Sequence, residues 1–375
     1  MKKILVIITI ILLQVLPAYC IEEEPIILDK IETINIQPST DIIELKAEKY
    51  GAKKVEPILN TKLFENNIFK SVELHGAYIG GFTFTDFINS LNHTTTYDAN
   101  VGDITLKGKL RDEKTEMVLT VNPLRRLENY DYVNAMFSDF YVKREVADGN
   151  YLMLGQARTP TGVEGSQSQY TLLFGQRAQI SRNYGNTRTY GIRNQGNYKF
   201  IDYDMGVFDS TRYLQNIMQG LEFTGWVTAK PLANFDNKYG TLKIGSGINT
   251  GKKEHDLGYT VTGAYIGYEY KRLLANFEYA KAHGGSNGVQ AKENSSEGFY
   301  TTLGYFIHPQ VQLLGRFDYF DNNIHKHGDQ ANEITAGINY YIKDQNLRLT
   351  LNYVYKDRET GPDSNQYILL TQFAF

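Results

Sequence analysis

From Val72 to Phe375, apolar and polar residues alternate with a period of two. That is the spacing of side chains leaving a β-strand on opposite faces. In 345–356 the odd positions hold Leu347, Leu349, Leu351, Tyr353 and Tyr355. The even ones include Asn346, Arg348, Thr350, Asn352 and Lys356. In 310–320, Val311, Leu313, Phe317 and Tyr319 stand against Gln312, Arg316 and Asp318. In 272–281, Leu273, Phe277 and Tyr279 stand against Arg272, Asn276 and Glu278. The pattern predicts sixteen strands, over 72–86, 101–111, 114–124, 137–146, 151–159, 189–200, 202–209, 221–230, 240–249, 259–270, 272–281, 297–307, 310–320, 333–342, 345–356 and 366–375.

The connections between these strands alternate in length. RDEK, ADGN, YKR, IHPQ and KDQ are short, whereas FINSLNHTTTYDA, RRLENYDYVNAM, STRYLQNIMQG, HGGSNGVQAKENSSE, DNNIHKHGDQAN and KDRETGPDSN are long. PLANFDNKY is longer than its class. Tight turns at one end and roomy loops at the other are the signature of a barrel that crosses a membrane with its strands. The polar face carries long charged side chains, which need water. The apolar face carries Tyr and Phe near its ends. We therefore place grease outward in hydrocarbon and charge inward on a wet lumen. The predicted fold is an all-β antiparallel transmembrane β-barrel of about sixteen strands. Its last strand pairs with its first to leave no edge. That puts Leu369, Phe373 and Phe375 outward and Gln372 inward.

Composition supports this picture. There are 33 Gly, 28 Tyr and 19 Phe in 375 residues, and one cysteine, Cys20. Lys2 and Lys3, the apolar run Ile4–Val15, Pro17 and the small residues Ala18 and Cys20 read as a signal peptide over 1–20. Tyr19, directly before Cys20, argues against a lipidated cysteine there. Residues 21–70 read as a periplasmic N-terminal extension, and 71–375 as the barrel. Export and barrel together predict the outer membrane of a Gram-negative-type bacterium. The net charge of −3 is mixed in sign and gives no basis for nucleic-acid binding.

A sixteen-stranded barrel is too wide for its side chains to fill. The longest connection, from Pro160 to Arg188, is the third on the roomy side and is expected to fold into the lumen. Its apolar patch Tyr170–Phe174 is expected to dock on the inner wall. Arg177, Arg182 and Arg188 stand there against Glu164, and Arg158 and Arg193 on the flanking strands are assigned inward. These five arginines are the candidate constriction. Arginine suits such a place because it stays protonated and forks onto an oxyanion. Further lumen cations are Lys107, Lys109, Lys143, Arg316 and Arg348; inward acids include Glu116, Asp139, Asp204, Glu222, Glu278 and Asp318.

The stretch LMLGQARTPTGVEGSQSQYTLLFGQRAQ resembles the strand and loop of the phosphate-selective porin O/P family, through Gly155-Gln156, Arg158, Pro160, Glu164, Ser168, Tyr170 and Arg177. LKGKL at 106–110, FSDFYVKRE at 137–145 and RTYGIRNQG at 188–196 are weaker matches. The resemblance covers roughly 101–209, plus the general architecture afterward. It implies a trimeric sixteen-stranded porin that passes small anions, phosphate among them, or other small hydrophilic solutes. A barrel acting as adhesin or receptor through its surface loops is the alternative. His325 and His327 sit in a polar loop with too few neighbouring ligands for a metal site. No nucleophile is paired with a base, so neither enzyme chemistry nor a cofactor is expected.

Overall fold

The computed structural model describes residues 62–88, 92–124, 136–210, 220–235, 238–252, 258–284 and 295–374. The signal peptide, most of the 21–70 extension and Phe375 lie outside the described residues. The strands are β1 (Lys62–Phe64), β2 (Phe69–Phe87), β3 (His93–Leu110), β4 (Thr115–Val121), β5 (Phe137–Ala147), β6 (Asn150–Arg158), β7 (Arg188–Tyr198), β8 (Ile201–Asp209) and β9 (Leu221–Ala229), followed by β10 (Thr241–Lys252), β11 (Gly258–Tyr270), β12 (Leu273–Gly284), β13 (Ser295–His308), β14 (Val311–Asp321), β15 (Gln330–Lys343), β16 (Leu347–Arg358) and β17 (Ser364–Ala374). β1 is a three-residue strand paired to β2. The other sixteen form the closed antiparallel barrel expected from the sequence. Each pairs with the next, and β17 returns to β2 with Ser364 opposite Phe87 and Ala374 opposite Ala77.

Five of the short turns bring the chain back with one residue in the left-handed region. These are Glu113, Gly149, Lys199, Lys271 and Asp344, with φ of 57°, 65°, 56°, 52° and 46°. A positive φ matches the turn to the right-handed twist of the flanking strands. In the turn before β4, Asp112 accepts from the Thr115 hydroxyl at 2.8 Å, from the Lys114 and Thr115 N–H groups, and from Arg144. The Thr115 hydroxyl, then these main-chain donors and Arg144, hold the Asp112 carboxyl down to about 2.

The two faces separate as their sequence demands. Leu313, Phe317, Leu351, Tyr353, Leu369 and Phe373 are exposed on the outer face. Gln312, Arg316, Asp318, Thr350, Asn352 and Gln372 are buried on the inner one.

One expectation is corrected. The segment 87–99 reads as a long loop, but β3 begins at His93 and Thr94, Thr95 and Thr96 pair with Thr85, Phe84 and Thr83. The TTTY run is polar on both faces, so it lacks the alternation that marks the other strands. Its β-branched threonines nonetheless favour extended backbone. β2 and β3 reach 19 and 18 residues, well beyond the roughly 9–11 that cross a bilayer. A shift between Ile79 and Gly80 absorbs one extra residue of β3.

Closure is tightest at Gly81. A Cβ built there would lie 1.9 Å from the Leu369 carbonyl oxygen, a main-chain atom locked in the β2–β17 ladder. Gly81→Val is therefore expected to prevent the seam from forming. In gel electrophoresis without boiling, the compact fast-migrating band of the folded barrel should disappear, while the boiled sample runs unchanged.

Candidate functional site: a wall-bound connection facing a charged half-barrel

The connection 159–187 is held by inner-face side chains from one side of the barrel. It contains two short helices, Val163–Ser166 and Gln179–Tyr184. A helix start leaves N–H groups without internal partners, and here the wall supplies acceptors. Glu278 takes the Val163 N–H at 2.7 Å and the Glu164 N–H at 3.2 Å. Asp318 takes the Gln179 N–H at 2.8 Å. Gly162, at φ 72°, makes the approach to Glu278 possible, because a Cβ there would sit 2.6 Å from the carboxylate.

The apolar patch docks as its sequence suggests. Leu172 and Phe174 are buried, and Tyr170 packs on Ile79, Val101, Val354, Ile368 and Leu370. The main chain of the patch is tied down as well. Arg348 donates to Leu172 O at 2.9 Å, Asn339 to Leu173 O at 2.8 Å, and the Gly175 N–H to Asn352 at 2.7 Å. Arg316 bridges Glu164 at 3.2 Å and Gln176 O at 3.1 Å, with its guanidinium 4.6 Å from the Phe174 ring centre. Hydrogen bonds to charged groups contribute about 1.5–3 kcal/mol each, so this set, with the buried apolar patch, offsets part of the cost of ordering the segment, about 1–2 kcal/mol per residue.

The opposite side of the barrel is wetter. Lys107 and Lys143 both reach Glu116, at 3.2 and 3.7 Å. Arg188 pairs with Asp139 at 2.9 Å, and Lys230 with Asp202 at 2.5 Å. Arg193 donates through Nε to Asp204 at 2.6 Å. Side chains of this set keep between 15 and 41 % of their surface exposed, against 4 % or less for Arg316, Asp318, Asn339 and Arg348. At the short-turn end the same side opens into a cavity of about 350 Å³ lined by Tyr151, Gln195, Asp202, Tyr203, Asp204 and Trp226.

The five candidate arginines fall into two groups. Arg158, Arg188 and Arg193 come together. Arg158 stands opposite Arg188 in the β6–β7 ladder, and Arg193 donates to Arg158 O at 3.0 Å. Arg158 also donates to Asn186. Simple alternation separates Arg158 from Met153, the partner of Arg193, by an odd number of residues. Between them Gly155, at φ 134°, interrupts the regular pleat. Arg177 and Arg182 lie elsewhere. Arg177 is buried and donates to Glu164 O and Gln167 O. Arg182 pairs with Glu333 at 2.8 Å, and Lys356 reaches the other oxygen of Glu333 at 3.5 Å. Among the lumen cations, Lys107 and Lys143 are on the wetter side, and Lys109 is half-buried beside them on β3. Arg316 and Arg348 are committed to the connection. Sequence reasoning did not single out Asn339 or Asn352, because an asparagine on a polar strand face carries no signal of its partner.

A model of the phosphate-selective porin O and P family matches residues 236–374. The match lies outside 101–209, where the resemblance was read from the sequence; β11–β17 carry the most regular alternation and the family signal with it. A comparison with curated protein sequences finds no match. Solved structures with the same fold include an anion-selective porin from Comamonas acidovorans, at 10% identity and TM-score 0.58, covering 81% of this chain and 99% of that one. The trimer form of in-vitro folded OmpT from Vibrio cholerae has 10% identity and TM-score 0.56, covering 81% and 99%. OpdQ from Pseudomonas aeruginosa has 10% identity and TM-score 0.54, covering 83% and 99%.

The anchoring by carboxylates has a measurable consequence. Replacing Glu278→Gln and Asp318→Asn together weakens three N–H acceptors at the helix starts. Amide exchange of peptides within 159–187, followed by mass spectrometry in detergent, should speed up roughly tenfold to a hundredfold. Exchange in β2–β17 should stay as it is.

Proposed function

We propose that this chain is an outer-membrane porin through which small hydrophilic solutes diffuse, with a preference for anions. The observation that carries the reading is the division of the barrel interior. Inner-face side chains on one side hold the connection 159–187, and the other side carries a column of half-exposed charged side chains from Lys107 to Arg193. In this reading 159–187 crosses the lumen and narrows it, and the solute passes along the β3–β8 side. Facing charges in such a narrow, water-filled path set which ions enter.

Anion preference comes from where the cations stand. Glu116 is shared by Lys107 and Lys143, which leaves a net positive charge there. Arg158, Arg188 and Arg193 cluster at the root of the connection, with Asp139 and Asp204 as partners of the last two. Of the candidate arginines, Arg188 and Arg193 are the path-lining pair, and Lys107, Lys109 and Lys143 extend the path. Arg177, Arg182, Arg316 and Arg348 act by holding the connection in place. Phosphate is one anion the path would admit. The family match, a solved anion-selective porin with the same fold and the trimer form of OmpT support a trimeric anion porin. The partial family match and the fold support a channel rather than an enzyme. The adhesin reading is disfavoured, since the longest described connection is bound to the wall rather than free at the surface. We further propose that 1–20 is the export signal and 21–70 a periplasmic extension of the barrel.

The test is the reversal potential of the purified protein in a planar bilayer under a potassium chloride gradient, repeated with potassium phosphate. The wild type should favour the anion. Arg188→Glu combined with Arg193→Glu should lower the anion-to-cation permeability ratio several-fold. Arg177→Gln should leave that ratio near wild type and change channel noise instead. Cation preference in the wild type would overturn the anion reading while leaving the barrel intact.

A further inference from the structure

Beneath the root of the connection, three oxygen atoms on the inner wall have no hydrogen-bond partner. They are Glu222 Oε1, Thr224 Oγ1 and Asn249 Oδ1. All three residues are at least nine-tenths buried; Glu222 and Thr224 are 0 % exposed and Asn249 is 3 %. Glu222 and Thr224 are two apart on one strand, so they share a face, and Thr224 lies directly opposite Asn249 in the β9–β10 ladder. Directly opposed side chains stand about 4.5–5.5 Å apart at Cβ, and the diagonal neighbour about 7–8 Å. Side chains of this length on such spacings can place their oxygens around one bound ion.

The neighbours turn these atoms toward the same place. Tyr259 donates to the other carboxylate oxygen of Glu222. The Asn249 amide nitrogen donates to Thr161 Oγ1 at 2.9 Å, which fixes that side chain with its oxygen on the other side. A small cavity of about 20 Å³, room for about one water molecule, lies against Asn249, lined by Thr161, Gly162, Ser181 and Trp226 among others.

A buried carboxylate is costly unless a counter-charge or several donors compensate it. Among the described residues no Lys or Arg forms an ion pair with Glu222, Glu278 or Asp318; main-chain N–H groups of 159–187 donate to Glu278 and Asp318, whereas Glu222 accepts from the Tyr259 hydroxyl. A water molecule would satisfy the oxygens but not the charge. The donor set is a carboxylate, a hydroxyl and an amide oxygen, with no nitrogen or sulfur. Such hard oxygen ligands suit calcium-type cations and not zinc or copper. We propose that Glu222, Thr224 and Asn249 bind a calcium-type cation, completed by water from the cavity, which ties the root of 159–187 to β9 and β10. This site is independent of what passes through the barrel.

The chain has a single tryptophan, Trp226, two residues from Thr224 on the same face. It makes a local antenna for terbium, the probe used in place of calcium. The mature protein in detergent is stripped with a chelator and titrated with terbium under excitation selective for indole. Saturable terbium emission that calcium displaces is expected, together with a calcium-dependent rise in the thermal unfolding midpoint. Both should vanish in Glu222→Gln. Asn249→Asp, which adds a second charge to the ligand set, should bind on the order of tenfold more tightly. Absence of emission and of any calcium effect in the wild type would overturn the proposal. So would emission unchanged in Glu222→Gln, which would place the ion at Asp204, opposite Trp226 in the β8–β9 ladder. Should Glu222→Gln fail to fold, Asn249→Asp still decides, and affinity no tighter than wild type overturns the site.

Discussion

Hydrocarbon offers no partner to a main-chain N–H or C=O group, so a strand that crosses it must be paired along both edges. In this chain that requirement is met at the β17–β2 seam. The regular outward alternation of Leu, Tyr and Phe is useful only if the sheet closes, and it closes only if β2 and β17 come within ladder distance. Gly81 is the point where that distance leaves no room for a side chain. The interior exists because the seam exists.

Closure creates a second demand, since sixteen strands enclose more space than inward side chains can fill. The connection 159–187 is bound by inner-face side chains on one side. Its helices are too short to satisfy their own ends, and its apolar patch is too small to hold it alone. Glu278 and Asp318 supply acceptors for its N–H groups, while Arg316, Arg348 and Asn339 supply donors for its carbonyls. The wall and the connection complete one another. The same division explains why charged residues of similar type differ so much in exposure. Arg316 and Arg348 are buried because they hold the connection, and Arg188, Lys107 and Lys143 stay partly exposed in ion pairs on the other side.

Legibility followed the strength of the period-two signal. Strands such as 345–356 were readable because hydrocarbon outside and water inside impose opposite chemistry on successive residues. The 93–100 part of β3 was not, because a threonine run satisfies neither pattern and still extends. The docking of Tyr170–Phe174 could be foreseen, since an apolar patch in a polar connection has to cover itself. Its partners could not, because Asn339, Arg348 and Asn352 lie more than 160 residues away along the chain. The arginines show the same limit. Five were found by composition, and Gly155 and the ladder register decide that Arg158, Arg188 and Arg193 meet while Arg177 and Arg182 do not.

By itself, then, the amino-acid sequence determined the strand count, the closed antiparallel order and which face of each strand meets lipid. Those are local properties, written in adjacent residues because the solvent changes from one face to the next. Tertiary structure alone decided which inward charges are spent on holding 159–187 and which remain in water. It also decided which buried oxygens are left without partners at Glu222, Thr224 and Asn249. Those outcomes depend on which distant side chains the closed ring brings opposite one another, and no neighbouring residue along the chain records that.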